Sequence, residues 1–512
     1  MTRILLRNGV IHTGRGRDET VSAMVVEDGR IAWIGHDPDD IASPDEVIDL
    51  GGRLVTPAFV DSHVHVVETG EQILGLDLVG APSREVVLEK IAAYVVDLGP
   101  DDLVLAQGWD ETLWPDPTLP VAAELDRASG GRKVYLNRID GHSAVVSTAL
   151  MAQLPEIAGL PGWSADGRVE REAMNALLPL LADLTPAGHA ERCAQAALQH
   201  MAALGIGAFH DNSGPAIGPE SDLRALQTET AAAGLHGTYY WGAHLGFDDL
   251  DRFEDISGLA GDLSADGSIG SRSAALTRDY ADLSGHRGHA YLDPEQMAEH
   301  IVGCTRRGVQ AGFHCIGDQA IDNIAEAFRR AADVLGTEAV RARRHRLEHC
   351  ELPSPTAIET FAELGVIASM QPMFDGLWGG PDRMYAARLG ERWQQMNPFR
   401  TLLDAGVRLA FGSDSPVTPL DPWAAVHAAV HHRTPGQGIT PAEAFAAYTS
   451  GGWYAAGVDD AGTLAVGQRA TYAVWDRTAF PDLTSADVAD VSTPCLQTVV
   501  DGRTVFEKEG VR

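Results

Sequence analysis

The chain has 512 residues, 45% of them hydrophobic, which is enough to bury a large α/β core and a smaller domain besides, so a disordered chain is excluded. Acidic residues outnumber basic ones by 72 to 39, and the resulting charge of -33 sets aside nucleic acid and anionic membranes as partners, leaving a small-molecule substrate. Five cysteines are scattered without CxxC spacing, and no apolar run is long enough for a signal peptide or a membrane helix, so a cytoplasmic protein with buried free thiols is expected.

Residues 1 to about 56 alternate short apolar strands with turn signals, among them Asp28-Gly29 between β-rich runs, a hairpin signature. Residues from about 458 to 512 return to the same style, in Ala473-Val474-Trp475, Thr498-Val499-Val500 and Thr504-Val505-Phe506. The two ends, 1–56 and 458–512, are expected to meet in one small β-sandwich. Between them, 57–457 alternates Ala-rich helices with apolar strands. A helix around 190–203 precedes Ile206-Gly207-Ala208-Phe209-His210, and one around 297–307 precedes Val309-Gln310-Ala311-Gly312-Phe313-His314. Repeated helix-then-strand units predict a parallel sheet, and this many predict a closed (β/α)8 TIM barrel. The stretch from about 66 to 190 is longer than one crossover needs and is rich in Trp and Pro. It is expected to be an insertion after the first barrel strand that covers a site or forms a subunit contact.

The run Leu54-Val55-Thr56-Pro57-Ala58-Phe59-Val60 reads as a buried strand with Pro57 near its start, and it leads to His63 and His65. Successive strand side chains alternate faces, so the two histidines project the same way, as two ligands of one ion must. Alone, such a pair is weak. Later apolar runs, however, also end in metal-capable side chains: His314, His349 and Asp414, with the turn at 265–270 besides. Zinc accepts imidazole nitrogen and carboxylate oxygen, and a catalytic site needs three or four such groups with a place left for water. Singly, each has an ordinary reading, His314 or His349 as a core histidine bonded to a carbonyl and Asp414 as a turn cap. All five at strand ends by accident is far less plausible. His286, His289, His431 and His432 fall in polar loops or on helix faces and read as structural.

Motifs now run from end to end: Pro57 through His65, Gly108-Trp109-Asp110, Asp140-Gly141-His142-Ser143, Ala265 through Arg272, His314-Cys315-Ile316-Gly317-Asp318, Glu348-His349, Ser369-Met370-Gln371-Pro372 and Ser413-Asp414. In these the chain resembles the amidohydrolase superfamily, specifically the YtcJ-like (AepA-like) metal-dependent amidohydrolases that include N-substituted formamide deformylases. The resemblance implies a barrel with a sandwich built from both termini. It also implies metal held by the His-x-His pair, two later histidines and the Asp of the last strand. Many relatives are similar to a pattern Lys-Leu-Phe-Ala-Asp-Gly, whose lysine can be carboxylated to bridge two metals. Here the corresponding residues are Asp262-Leu263-Ser264-Ala265-Asp266-Gly267, and the only lysines are Lys90, Lys133 and Lys508. Aspartate reaches less far, so it can bridge only if the backbone comes closer. One divalent ion, zinc first, is therefore expected over two, with Asp262 a further candidate ligand.

The expected chemistry is hydrolysis of a non-peptide C–N bond in a small, partly apolar N-acyl, N-formyl, carbamate or cyclic amide. An ion on His63, His65 and His314 would lower the pKa of its water from near 16 to about 7. Asp414 would shuttle the proton, and His349 would bind a second ion or donate to the oxyanion. Expected substrate contacts are Trp109, Asp110, Met370, Phe374 and Trp378, with Arg272 and His142 orienting a carbonyl or carboxylate. A metal-dependent isomerase or decarboxylase on the same fold is the alternative, and a non-catalytic binding protein a weaker one. A homodimer is the usual expectation for such enzymes.

Overall fold

At Ala58 the apolar run that leads to the histidine pair divides between two sheets. Leu54–Pro57 lies antiparallel to Tyr472–Trp475, whereas Phe59–Val64 opens a parallel barrel. The run expected as one strand is therefore two, and Pro57 is the last residue of the first. The computed structural model describes residues 2–16, 19–36, 38, 44–253 and 255–510.

The barrel strands are β1 (Phe59–Val64), β2 (Ile206–Ser213), β3 (His236–Trp241), β4 (Ile256–Leu259), β5 (Gln310–Cys315), β6 (Arg346–His349), β7 (Ile367–Met370) and β8 (Arg408–Phe411). They pair in sequence order, all parallel. The first and last strands then meet beyond their ends. Val64 bridges Ser415, the Asp414 N–H donates to the His63 carbonyl at 2.7 Å, and the Ser413 N–H donates to Asp61 Oδ1 at 2.9 Å. The seam that closes the barrel thus carries His63 on one side and Asp414 on the other.

Strands covered on both faces must be apolar nearly throughout, and every residue of β5 is buried. The helix before it, Pro294–Arg307, has its limits written locally. Asp293 and Gln296 form a capping box, Pro294 takes the first position, and Gly308 at φ +76° ends the helix after Arg306 and Arg307.

The terminal segments form a four-stranded and a six-stranded sheet, the second joining Val10–His12 and Leu54–Pro57 to Tyr472–Trp475, Cys495–Val500 and Arg503–Glu507. Asp28 and Gly29, at φ +49° and +77°, make the two-residue turn between Ala23–Glu27 and Arg30–Gly35. After β1, helix Val66–Leu74 packs on helix His189–Ala203, which leads into β2. Between these helices lies a mixed five-stranded sheet containing Leu103–Trp109 and Lys133–Arg138. All five cysteines are free and buried. Among the described residues no helix is long and apolar enough to cross a membrane.

Candidate active site

Four side chains converge at the barrel mouth from three strand ends. His63 is the last but one residue of β1 and His65 follows the strand, Asp262 stands three residues after β4, and Asp414 stands three residues after β8. His63 Nε2 lies 3.2 Å from Asp414 Oδ1 and 3.5 Å from Asp262 Oδ1. His65 Nε2 lies 3.3 Å from Asp414 Oδ1 and 3.1 Å from Asp262 Oδ2. The ligand atoms of His63, His65 and Asp262 lie within 4.8 Å of one another, three ligands that would leave a divalent ion's fourth position to water, with Asp414 beside them. His63, His349 and Asp414 form a second grouping, their ligand atoms within 4.8 Å of one another. His63 Nε2 and Asp262 Oδ1 are buried without a hydrogen-bond partner, the deficiency that a cation fills. The donor set fits a divalent ion.

Asp262, the further candidate ligand, does meet both histidines, its short carboxylate reaching His63 Nε2 and His65 Nε2 at 3.5 and 3.1 Å. His314 departs from expectation the other way. It belongs to neither grouping, and its Nε2 lies 3.2 Å from His142 Nε2 instead. His349 and Asp414 both have left-handed backbone, φ +69° and +56°, a conformation costly for non-glycine residues and concentrated at functional sites.

Burial alone would depress the His63 imidazole, yet Asp262 and Asp414 outweigh it and carry its pKa up to about 10. The same contacts hold both carboxyls well below the usual range, against the burial that would raise them. His63 Nδ1–H donates to Glu348 Oε2 at 2.9 Å, and Arg346 Nη2 donates to the same oxygen at 2.8 Å. Burial pushes the Glu348 carboxyl up, but Arg346 dominates and holds it at about 2. Arg346 Nη1 also donates to His210 Nδ1 at 2.7 Å, within the barrel. His349 Nδ1–H donates to Gln371 Oε1 at 2.8 Å, so the neutral ring offers a lone pair at Nε2. Of its two expected roles, this geometry suits the ligand and not the donor. Glu348, Arg346, His210 and Gln371 were not singled out from sequence. Glu348 and Gln371 lie within quoted motifs, but nothing local marked them as partners of a histidine.

The cavity over this centre holds about 1350 Å³, counting its open mouth. His65, Asp262, His314, His349 and Asp414 line it, as do His142, Phe374 and Trp378. Phe374 stacks on the His349 ring, 5.8 Å between centroids. The insertion supplies the roof through residues 137–142 and Arg171, Met174 and Leu178.

Four expected substrate contacts lie elsewhere. Trp109 ends its strand pointing into the insertion's own core, beside Trp114, with Nε1 donating to the Leu136 carbonyl at 3.4 Å. Asp110 caps the next turn and pairs with Arg138 at 3.3 Å. Arg272 is turned away to Asp282 at 2.7 Å. Met370 is fully buried in the core around the barrel. The histidines read as structural include His286, His431 and His432, whose ring nitrogens meet the carbonyls of Arg272, Leu483 and Asn397 at 2.7, 3.0 and 2.9 Å.

A parallel eight-stranded barrel whose mouth gathers imidazoles and carboxylates in ligand geometry defines an α/β-barrel hydrolase with a metal centre. The amidohydrolase family matches residues 46–506, and the chain belongs to that family, a hydrolase acting on carbon–nitrogen bonds. It is 27% identical to YtcJ of Bacillus subtilis (strain 168), over 99% of this chain and 100% of the relative. It is 24% identical to an N-substituted formamide deformylase of Arthrobacter pascens, over 100% of this chain and 99% of the relative. A metal-dependent hydrolase from Pyrococcus furiosus superposes with a TM-score of 0.73 at 27% identity, covering 93% of this chain and 99% of the other.

Proposed function

We propose that the chain hydrolyses an N-formyl, N-acyl, carbamate or cyclic amide bond of a small, partly apolar substrate, using one tightly held divalent ion, zinc first. The observation that carries this reading is the approach of the His63 and His65 imidazoles to the Asp262 and Asp414 carboxylates within 3.1 to 3.5 Å, with His63 Nε2 and Asp262 Oδ1 buried and unpartnered. Full-length likeness to a formamide deformylase favours an amide with a small acyl part. Free, buried cysteines favour a reducing, cytoplasmic setting.

A divalent ion held there by His63, His65 and Asp262 would supply a water acidic enough to ionise near neutral pH and would polarise the substrate carbonyl. Asp414, ionised and facing the cavity, accepts the proton of the attacking water and returns it to the leaving amine. Phe374 and Trp378 offer the organic part of the substrate an apolar wall, while the insertion excludes bulk water from above. Protein purified without added metal should carry one ion per chain and release free amine from a panel of N-formyl and N-acetyl arylamines, with chelator abolishing release. Asp414→Asn should remove turnover while leaving the circular dichroism spectrum unchanged. An active Asn variant, or a chain that retains no ion, contradicts the reading.

A further inference from the structure

Among the described residues, the buried carboxyl groups are met by a basic side chain or by backbone N–H groups, with one exception. Asp266 accepts the N–H groups of Ala275, Ile316 and Gly317 at 2.8 to 2.9 Å, and Glu348 is paired with Arg346. The exception is Glu351, which lines the cavity and is only 2% exposed. The Tyr385 O–H donates to its Oε2, and among the described residues nothing donates to Oε1 and no basic side chain pairs with it. The charged groups that act on Glu351, Asp266 and Asp414, are acidic too. A buried carboxyl oxygen without a donor is costly, and here it is left to the cavity.

Its surroundings are aromatic. Tyr385 belongs to an apolar cluster that lines the cavity with Ile269, Ile316, Phe374, Trp378 and Met384. From His349 the rings follow one another, Phe374 at 5.8 Å between centroids, Trp378 a further 4.8 Å on and Tyr385 a further 6.3 Å. The wall thus runs from the metal centre to the phenol that holds Glu351. Ring faces beside a carboxylate with no counter-ion attract an alkylammonium, which gains both a cation–π contact and a charge-assisted hydrogen bond.

We propose that Glu351, with the rings of Phe374, Trp378 and Tyr385, binds an ammonium group of the substrate, and that the preferred substrate is a mono-N-acyl diamine. Its amide lies at the metal centre, its alkyl chain along the aromatic wall and its protonated amine on Glu351. The proposal rests on the hydrolase reading for the amide end alone. A chain charge of -33 draws such cations towards the protein.

The test uses the full chain as purified. Mono-N-formyl diaminoalkanes of increasing length are compared with N-formyl alkylamines of equal length that end in hydroxyl or methyl. Benzylammonium and benzyl alcohol, which need no turnover, are compared by calorimetry. Wild type should prefer the ammonium compound at least about tenfold in kcat/KM and in binding. Glu351→Gln should bring both ratios to within about twofold of one, and Glu351→Asp, which keeps the charge, should retain a preference. Trp378→Leu, which keeps the carboxyl and removes a ring, should lower both ratios at least about threefold, and this holds the proposal to account if the Gln variant does not fold. A wild type that hydrolyses the panel without favouring ammonium compounds, or a Gln variant that favours them as wild type does, overturns the proposal and leaves the hydrolase reading standing. A wild type that hydrolyses none of the panel yet prefers benzylammonium through Glu351 overturns the amide reading and supports the cation site.

Discussion

Glu348 is the residue on which His63 depends. Its carboxylate receives the His63 Nδ1–H, which fixes the tautomer that leaves Nε2 for an ion, and it balances the buried Arg346. Glu348→Gln leaves that guanidinium without its counter-charge, so the variant should be less stable by about 3 to 5 kcal/mol in urea unfolding. Zinc affinity should fall about 10- to 100-fold, as loss of a partner behind a ligating histidine does elsewhere. The sign with pH follows from the depressed carboxyl. With a folded pKa of about 2 against an unfolded value of about 4.3, the pair's stabilisation is complete above the higher value and is lost as pH falls towards the lower. His63 gives a second prediction. Without an ion it stays protonated to about pH 10, yet Nε2 must be bare to ligate. His65 is raised by the same carboxylates, so ion binding near pH 7 expels protons from both rings, and affinity should rise by at least about tenfold per pH unit across the neutral range, as calorimetry in buffers of different ionisation enthalpy can check. A flat profile contradicts the assignment. His63 and His65 were legible because two-residue spacing at the end of an apolar run carries its own geometry. Asp262 was visible only through the pattern it departs from, since no local feature tells a ligand carboxylate from a turn aspartate. The His142–His314 contact joins positions 172 residues apart and has no local signal at all.

The insertion is bound to the barrel by a buried charge network. Arg138 meets Asp110 at 3.3 Å, Glu111 at 2.8 Å and Asp140 at 2.7 Å, and Arg388 carries Glu111 on to Asp282. Burial pushes the Asp140 carboxyl up, but Arg138 prevails and holds it at about 2. Three carboxylates around one guanidinium make Arg138 the member whose loss costs most. Arg138→Met should destabilise the chain by about 3 to 5 kcal/mol in denaturant, with protease cutting appearing first within 66–190. Loss of no more than about 1 kcal/mol would show the network to be as weak as a surface pair. That a long insertion covers the site was readable from the surplus chain between β1 and β2. Which face of its strands looks into the cavity was not. Period-two alternation separates two faces without saying which one meets the barrel, and Trp109, expected against the substrate, ends Leu103–Trp109 and fills the insertion's own core.

At the scale of the whole molecule, the metal centre and the closure of the barrel are one structure. The alternation of helix and strand was enough to predict a closed sheet, but not that its seam would run through the site. There the Asp414 N–H donates to the His63 carbonyl and the His65 N–H donates to the Ser415 carbonyl, at 2.7 and 2.9 Å, while the side chains of His63, His65 and Asp414 face a common point. An ion at that point ties β1 to β8 by bonds that no strand ladder supplies. Without it, His63 and His65 hold the two carboxylates only by their charge. Free ion at a thousand times its Kd contributes about 4 kcal/mol to stability, so exhaustive chelation should lower the melting temperature. For a chain of this size the shift should be several degrees. The loss should also be local. Hydrogen exchange should quicken at the ends of β1 and β8 and across 412–416, while the sandwich strands Leu54–Pro57 and Tyr472–Trp475, paired independently of the site, keep their protection. Uniform acceleration through barrel and sandwich alike would mean that the ion stabilises the fold as a whole, and that the seam is closed by its backbone bonds alone.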